Sequence, residues 1–175
     1  MGVRRILVAE EAGACYGVER ALALAEKASS EATGPVHTLG PLIHNPRVVA
    51  DLAAAGVTVV RTPAEAAGST LILRTHGVTP EVEREARESC ARVIDATCPF
   101  VKKVHVAVER LSREGYQVVV VGEAGHPEVE ATLGHAPGAV VVSSGAQAAA
   151  LHARGKVGVV VQTTQPRALL AEVVA

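Results

Sequence analysis

Three cysteines and seven histidines are the side chains of this 175-residue sequence with the most chemistry to offer. Cys15 lies in Ala12-Gly13-Ala14-Cys15-Tyr16-Gly17, between a short β-branched run and a helical stretch. Cys98 lies in Asp95-Ala96-Thr97-Cys98-Pro99, again where a strand gives way to a helix. A cysteine at a helix N-terminus faces the positive end of the helix dipole, which favours the thiolate, the form that ligates iron or zinc. Two cysteines in the same local context, far apart in the chain, have the look of ligands. The plainer reading, two small buried apolar residues, stands beside it. Cys90 differs, since it comes late in a helix ahead of the strand that leads to Cys98. At ~3.3 Å per residue, that strand puts Cys90 ~20 Å from Cys98, so Cys90 is expected to be structural.

The histidines divide in the same way. His44 (Leu42-Ile43-His44-Asn45-Pro46), His76 (Arg74-Thr75-His76-Gly77) and His126 (Gly125-His126-Pro127-Glu128) each follow a strand or sit at a turn into a helix. Each alone reads as a turn histidine. Three in equivalent places make a candidate site for phosphate or diphosphate, with imidazole N–H donors beside helix N-termini. Glu128, in the first turn of a helix, either complements the dipole or serves as a proton donor. Gln162-Thr163-Thr164 closes the last strand and brings hydroxyls to the same edge, or simply an N-cap. His37, His105, His135 and His152 lack this context and are expected to be structural or exposed.

The elements that must position these groups alternate along the chain. Strands are expected at Arg5–Ala9, Val36–Leu39, Val57–Val60, Thr70–Arg74, Arg92–Asp95, Val118–Val121, Val140–Val142 and Val157–Val161. Helices are expected at Gly17–Ser29, Pro46–Ala55, Pro80–Cys90, Pro99–Glu114, Pro127–Leu133, Gln147–Ala153 and Pro166–Val173, five of them opening on proline. Runs such as Val118-Val119-Val120-Val121 are apolar throughout, as parallel strands buried on both faces are. The pattern predicts an α/β fold of two similar small lobes, each a parallel sheet flanked by helices, with residues 1–97 in the first and 98–175 in the second. In such sheets ligands bind beyond the carboxyl ends of the strands, where these cysteines, histidines and threonines fall.

Composition narrows the function. Apolar residues make up 49% and charged residues 20%, the balance of a folded globular chain. Net charge is −1, and no basic stripe points to nucleic acid. No run approaches the ~20 apolar residues of a membrane span, and the basic N-terminus lacks the apolar length of a signal peptide. Three cysteines without a small-secreted-protein pattern fit a reducing compartment, so a cytoplasmic location is expected. No Walker loop, Gly-x-Gly-x-x-Gly fingerprint, Gly-x-Ser-x-Gly elbow, Cys-x-x-Cys or His-Glu-x-x-His occurs.

Six segments in order carry a resemblance. They are Ala12-Gly13-Ala14-Cys15-Tyr16-Gly17-Val18-Glu19-Arg20-Ala21, Leu39-Gly40-Pro41-Leu42-Ile43-His44-Asn45-Pro46, Arg74-Thr75-His76-Gly77-Val78, Asp95-Ala96-Thr97-Cys98-Pro99, Gly125-His126-Pro127-Glu128-Val129 and Gln162-Thr163-Thr164. Together they resemble the LytB-type 4-hydroxy-3-methylbut-2-enyl diphosphate reductases of the non-mevalonate isoprenoid pathway. The resemblance implies reductive removal of a hydroxyl from an allylic diphosphate, giving isopentenyl and dimethylallyl diphosphates. It implies a [4Fe–4S] cluster held by three cysteines, Cys15 and Cys98 among them, with one iron open to the substrate hydroxyl. It implies that His44, His76 and His126 contact the diphosphate, that Glu128 relays the proton, and that Thr163 orients the leaving hydroxyl. A ferredoxin or flavodoxin is the implied electron donor.

The family fold has three α/β lobes, each supplying one cysteine, and this sequence matches two. The third lobe carries the remaining cluster cysteine and a Ser-x-Asn diphosphate contact, and in the family it packs with the first strand, so residues 3–9 are expected to belong with it. Ala14 stands where the family often has an aromatic residue. The sequence thus reads as the amino-terminal two-thirds of a reductase: a truncated chain, a shortened gene product, or one chain of a split enzyme with a complementing third-lobe chain. A non-catalytic diphosphate-binding remnant and a zinc hydrolase using Cys15, Cys98 and a histidine are the competing readings.

Overall fold

The computed structural model describes residues 5, 7, 13–153 and 155–175. The strand expected at Arg5–Ala9 lies outside the described residues, since 6, 8 and 9 are not among them. The described chain runs α1 (Tyr16–Glu31), β1 (Val36–Leu39), α2 (Pro46–Ala54), β2 (Val57–Val60), a 3₁₀ turn (Pro63–Ala66), β3 (Thr70–Leu73), α3 (Pro80–Ser89), β4 (Arg92–Asp95), α4 (Pro99–Arg113), β5 (Gln117–Val121), α5 (Pro127–Gly134), β6 (Val140–Val142), α6 (Gly145–Ala149), β7 (Val157–Val161) and α7 (Arg167–Val174). One sheet has the order β2-β1-β3-β4 and the other β6-β5-β7. Every pairing in both is parallel.

The central strands β3 and β5 are buried on both faces because they are apolar at successive positions, whereas the edge strands β2 and β7 leave Val59, Val157 and Val159 exposed. In β3, Leu71 and Leu73 join one cluster with Leu39, Val60 and Ala86, whereas Ile72 joins the opposite one with Val36, Leu52 and Ala96. β5 repeats the arrangement, with Val118 and Val120 on one side and Val119 and Val121 on the other. The period of two follows from the pleat. Full burial of each such Leu, Ile or Val contributes about 1.5–3 kcal/mol. Ala21, Ala25 and Ala28 of α1 are buried in the first cluster. Small side chains at these helical spacings bring α1 close to its sheet.

Helix starts follow local chemistry. Asn45 Oδ1 accepts from the Arg47 and Val48 N–H groups and caps α2. Thr79 caps α3, accepting at Oγ1 from the Val82 N–H. Pro46, Pro80, Pro99 and Pro127 occupy the first helical positions. Two expectations shift. The helix expected at Gln147–Ala153 lies earlier, because Ser144 caps it by accepting from the Gln147 N–H at 3.2 Å. Pro166 is itself the N-cap of α7 and lies outside the helix. The 3₁₀ turn at Pro63–Ala66 had no counterpart in the sequence reading; Glu65 ties it down by accepting from the Arg61 N–H and the Thr62 hydroxyl.

Candidate active site

Three strands from the two sheets deliver the histidines. His44 lies in the segment between β1 and α2, His76 follows β3, and His126 follows β5 as the N-cap of α5. The ring centroids are 4.4 Å apart for His44–His76, 5.8 Å for His44–His126 and 5.5 Å for His76–His126. One ring nitrogen from each lies within 4.8 Å of the others. The parallel topology makes this meeting possible, since all three strand ends point the same way in their sheets.

The protonation of two rings is constrained. His126 Nδ1 accepts the Glu128 N–H at 3.1 Å, so the neutral ring carries its proton on Nε2. That tautomer offers a donor, which suits an oxyanion and not a metal ion. Burial pushes His76 down to about 4, with His44, His126 and Arg74 adding to the shift. Among the described residues its Nδ1 is buried without a partner. A buried orphan of this kind costs about 1–3 kcal/mol until a ligand or water meets it. Arg74, lowered by its own burial, sits behind the turn: its Nε donates to Gly77 O at 3.4 Å, and its Nη1 lies 2.9 Å from where a Cβ on Gly40 would be. Gly40 has φ +70°, so both steric room and backbone geometry ask for glycine there.

Glu128 is 3% exposed, and both of its carboxylate oxygens are engaged by one residue. Oε1 accepts the Thr163 N–H at 2.6 Å, and Oε2 accepts the Thr163 hydroxyl at 2.9 Å. The turn that holds Thr163 is fixed by Gln162, a buried amide of the Gln162-Thr163-Thr164 segment whose role rests on distant partners. Its Oε1 accepts the Glu123 N–H at 3.0 Å and its Nε2 donates to Thr164 Oγ1 at 2.9 Å. Gly122 makes room for it, because a Cβ there would come within 2.9 Å of Gln162 Oε1.

Cys15 and Cys98 are the N-caps of α1 and α4, and neither side chain makes a capping hydrogen bond. Cys98 Sγ lies 2.6 Å from the position of a Cβ on Gly17, in the first turn of α1. The α4 cysteine therefore rests on the turn that Cys15 opens, with a glycine leaving the room. Two soft thiols, free of capping duty and brought together at two helix N-termini, fit a metal–sulfur group. The Cys98 N–H donates to Thr75 O at 2.9 Å, which joins this corner to the residue preceding His76. Arg20, part of the Cys15 segment but given no role there, donates to Asp95 O and Thr97 O at 3.2 Å each and ties α1 to the Cys98 segment. Cys90 stands apart at the other end of β4, where its Sγ contacts Pro63 O at 3.7 Å and its side chain packs against the buried cluster that holds Leu71, Leu73 and Ala86.

A family model described as LytB protein matches residues 6–175. A 4-hydroxy-3-methylbut-2-enyl diphosphate reductase of Aquifex aeolicus (strain VF5) is 46% identical over 173 residues, covering 97% of this chain and 60% of that protein. The reductase of Geobacter sulfurreducens (strain ATCC 51573 / DSM 12127 / PCA) is 48% identical over 170 residues, 97% of this chain and 60% of its own. A solved structure of (E)-4-hydroxy-3-methyl-but-2-enyl diphosphate reductase, the terminal enzyme of the non-mevalonate pathway, superposes with a TM-score of 0.84 at 46% identity, covering 97% of this chain and 62% of that one. The reductase from Plasmodium falciparum gives a TM-score of 0.88 at 29% identity, with 94% and 53% covered. The chain spans about 60% of the length of the curated relatives it matches. Within that span, two parallel-sheet lobes with their cysteines, histidines and buried glutamate at the strand ends are what the match covers, and the chain belongs to the LytB family.

Proposed function

We propose that this chain supplies the diphosphate cradle, the proton relay and two cluster ligands of a 4-hydroxy-3-methylbut-2-enyl diphosphate reductase. The observation that carries the reading is the convergence of His44, His76 and His126 within 4.8 Å. Two neutral-ring features, the Nε2 donor of His126 and the unpartnered Nδ1 of His76, leave hydrogen-bonding capacity for a bound diphosphate. Cys15 and Cys98 would hold a [4Fe–4S] cluster together with a third ligand. When bound, the cluster supplies electrons and a Lewis-acidic iron for the substrate hydroxyl.

The residues of this chain then have distinct work. The histidines anchor the diphosphate and so fix where the allylic hydroxyl lies. Removing that hydroxyl as water takes one proton, and the whole reduction takes two protons and two electrons. A proton held on Glu128 Oε2 passes to Thr163 Oγ1, while the hydroxyl gives its own proton to the leaving oxygen. Two buried oxygens held by one threonine keep the relay in register. A ferredoxin or flavodoxin is the electron donor in this reading, and a third-lobe segment or chain supplies the remaining cysteine. None of the described helices is long and apolar enough to cross a membrane.

The test is anaerobic reconstitution followed by iron and acid-labile sulfide per chain, the electronic spectrum, and calorimetry with inorganic diphosphate. Iron with sulfide, diphosphate heat, and turnover once a third-lobe chain is added in trans support the reading. Diphosphate heat without cluster or turnover would leave a binding remnant. Zinc in place of iron and sulfide would favour the hydrolase.

A further inference from the structure

A second histidine pair lies behind the first. His105, on α4, is 7% exposed, and its ring stacks on His135 at 4.1 Å and 22°. His135 Nδ1 is paired with Glu109 Oε1 at 2.6 Å, and its Nε2 meets Val78 O at 3.2 Å. The His105 Nε2 is buried and has no partner among the described residues. What His105 touches explains a ring held this way. Gly77 closes the Arg74–Gly77 turn, donating its N–H to Arg74 O at 3.1 Å with φ +75°. A Cβ on Gly77 would lie 2.5 Å from His105 Cε1 and 3.4 Å from its Nε2. The imidazole thus occupies the space that a side chain on Gly77, the residue directly after His76, would need.

We propose that His105 is a positioning residue for His76: its ring, clamped by His135 and Glu109, sets the Thr75-His76-Gly77 turn and thereby the place of the His76 imidazole in the three-histidine cradle. The inference rests on the diphosphate reading for its functional meaning but not for its geometry. The adjoining cleft, lined by Lys102, Glu109 and His135 among others, offers no rival role for the ring, since its charges are paired. Lys102 pairs with Asp95, Glu83 with Arg87 at 2.5 Å, and Glu109 with His135. A neutral ring suits the position because doubly protonated imidazole would leave the Nε2 proton buried with no partner among the described residues. Val78 O, one residue on, is already engaged by His135, so the brace holds the turn at two successive residues.

The experiment compares the wild-type chain with His105→Ala and His105→Phe. It uses ring ¹H–¹⁵N NMR of His44, His76 and His126, urea unfolding, and calorimetry with inorganic diphosphate. His105→Ala should shift or broaden the His76 ring signals well beyond those of His44 and His126 and weaken diphosphate about tenfold. His105→Phe, which keeps the ring and discards the nitrogens, should restore the His76 signals and most of the affinity. His76 signals unchanged in His105→Ala, or all three rings moving equally in proportion to lost stability, would overturn the proposal. Should His105→Ala fail to fold, His105→Val still removes the ring atoms that reach Gly77 while keeping an apolar side chain on α4, and unchanged His76 signals there would overturn it equally. A wild-type chain that gives no diphosphate heat while His76 still answers to His105 would sink the diphosphate reading and leave the positioning role intact.

Discussion

Cys98 Sγ occupies the space that a side chain on Gly17 would need: the sulfur lies 2.6 Å from that Cβ position, and Cys98 Cβ lies 3.3 Å from it. Because Gly17 is two residues past Cys15, the contact fixes one candidate ligand against the helical turn that presents the other. Gly17→Ala sets two effects against each other. Helix propensity gains about 1 kcal/mol, while crowding a filled contact costs about 1–3 kcal/mol. Net stability should therefore fall modestly, by up to ~2 kcal/mol in urea unfolding. The Cys98 thiol, pushed from its seat, should change its alkylation rate, and iron uptake on reconstitution should fall. Unchanged alkylation kinetics would mean the two corners do not meet as described.

The three cysteines should separate cleanly. Cys15→Ser and Cys98→Ser each remove a thiol at a helix N-terminus and should abolish cluster assembly, read as iron and sulfide per chain. Cys90→Ser removes a sulfur that packs against the cluster of Leu71, Leu73 and Ala86 at the other end of β4, and should leave iron content at the wild-type level. Loss of iron in Cys90→Ser alone would contradict this assignment of ligands.

Much of this arrangement was legible before any coordinates. The limits of β1, β2, β4, β6 and β7 coincide with the expected runs, because continuous β-branched stretches between turn residues have few alternatives. Topology then brings together residues that sequence leaves scattered, so reading His44, His76 and His126 as strand-end residues led to a cluster. Other parts depend on long-range partners that local pattern cannot express. Gln162 looks like any turn amide until Glu123 and Thr164 are found on either side of it. His105 sits at an ordinary helical position, and only Gly77, 28 residues earlier, gives its ring a purpose. Arg20 carries no motif on its own, and its acceptors are carbonyls 75 and 77 residues away.

Acid should destabilise the chain in a defined window. Burial chiefly holds both His76 and His105 down at about 4, against an ordinary 6.5. Between these values the unfolded chain takes up protons that the folded chain refuses. Stability is thus complete above pH 6.5 and declines as pH falls towards 4, with the unfolded state binding about two extra protons from this pair near pH 5. Asp95 contributes below that window: burial pushes its carboxyl up, but the hydrogen bonds from Lys102 and Thr97 outweigh this and hold it under 3.8. Urea unfolding at a series of pH values checks the slope. His105→Phe should lower the proton uptake by about one, and a flat profile from pH 6.5 to 4.5 would mean that neither ring is held neutral.

Glu128 offers the sharpest separation of binding from chemistry. Among the described residues its carboxylate is held by the Thr163 N–H and hydroxyl, 35 residues distant, and its own N–H is given to His126. Glu128→Gln keeps the backbone bond to His126 Nδ1 and the acceptor for the Thr163 N–H, so the diphosphate cradle stays in place. The amide NH2 replaces Oε2, and the Thr163 hydroxyl can turn to accept from it. What is lost is a group able to deliver a proton. In the chain completed with a third lobe, turnover should fall by ~10²–10⁴, while the Kd for inorganic diphosphate stays within about twofold. Thr163→Ser, which keeps a hydroxyl at the same atom, should retain most of the rate, and Thr163→Ala should not. If Glu128→Gln weakens diphosphate as much as it slows turnover, Glu128 serves to shape the cradle and the proton comes from elsewhere.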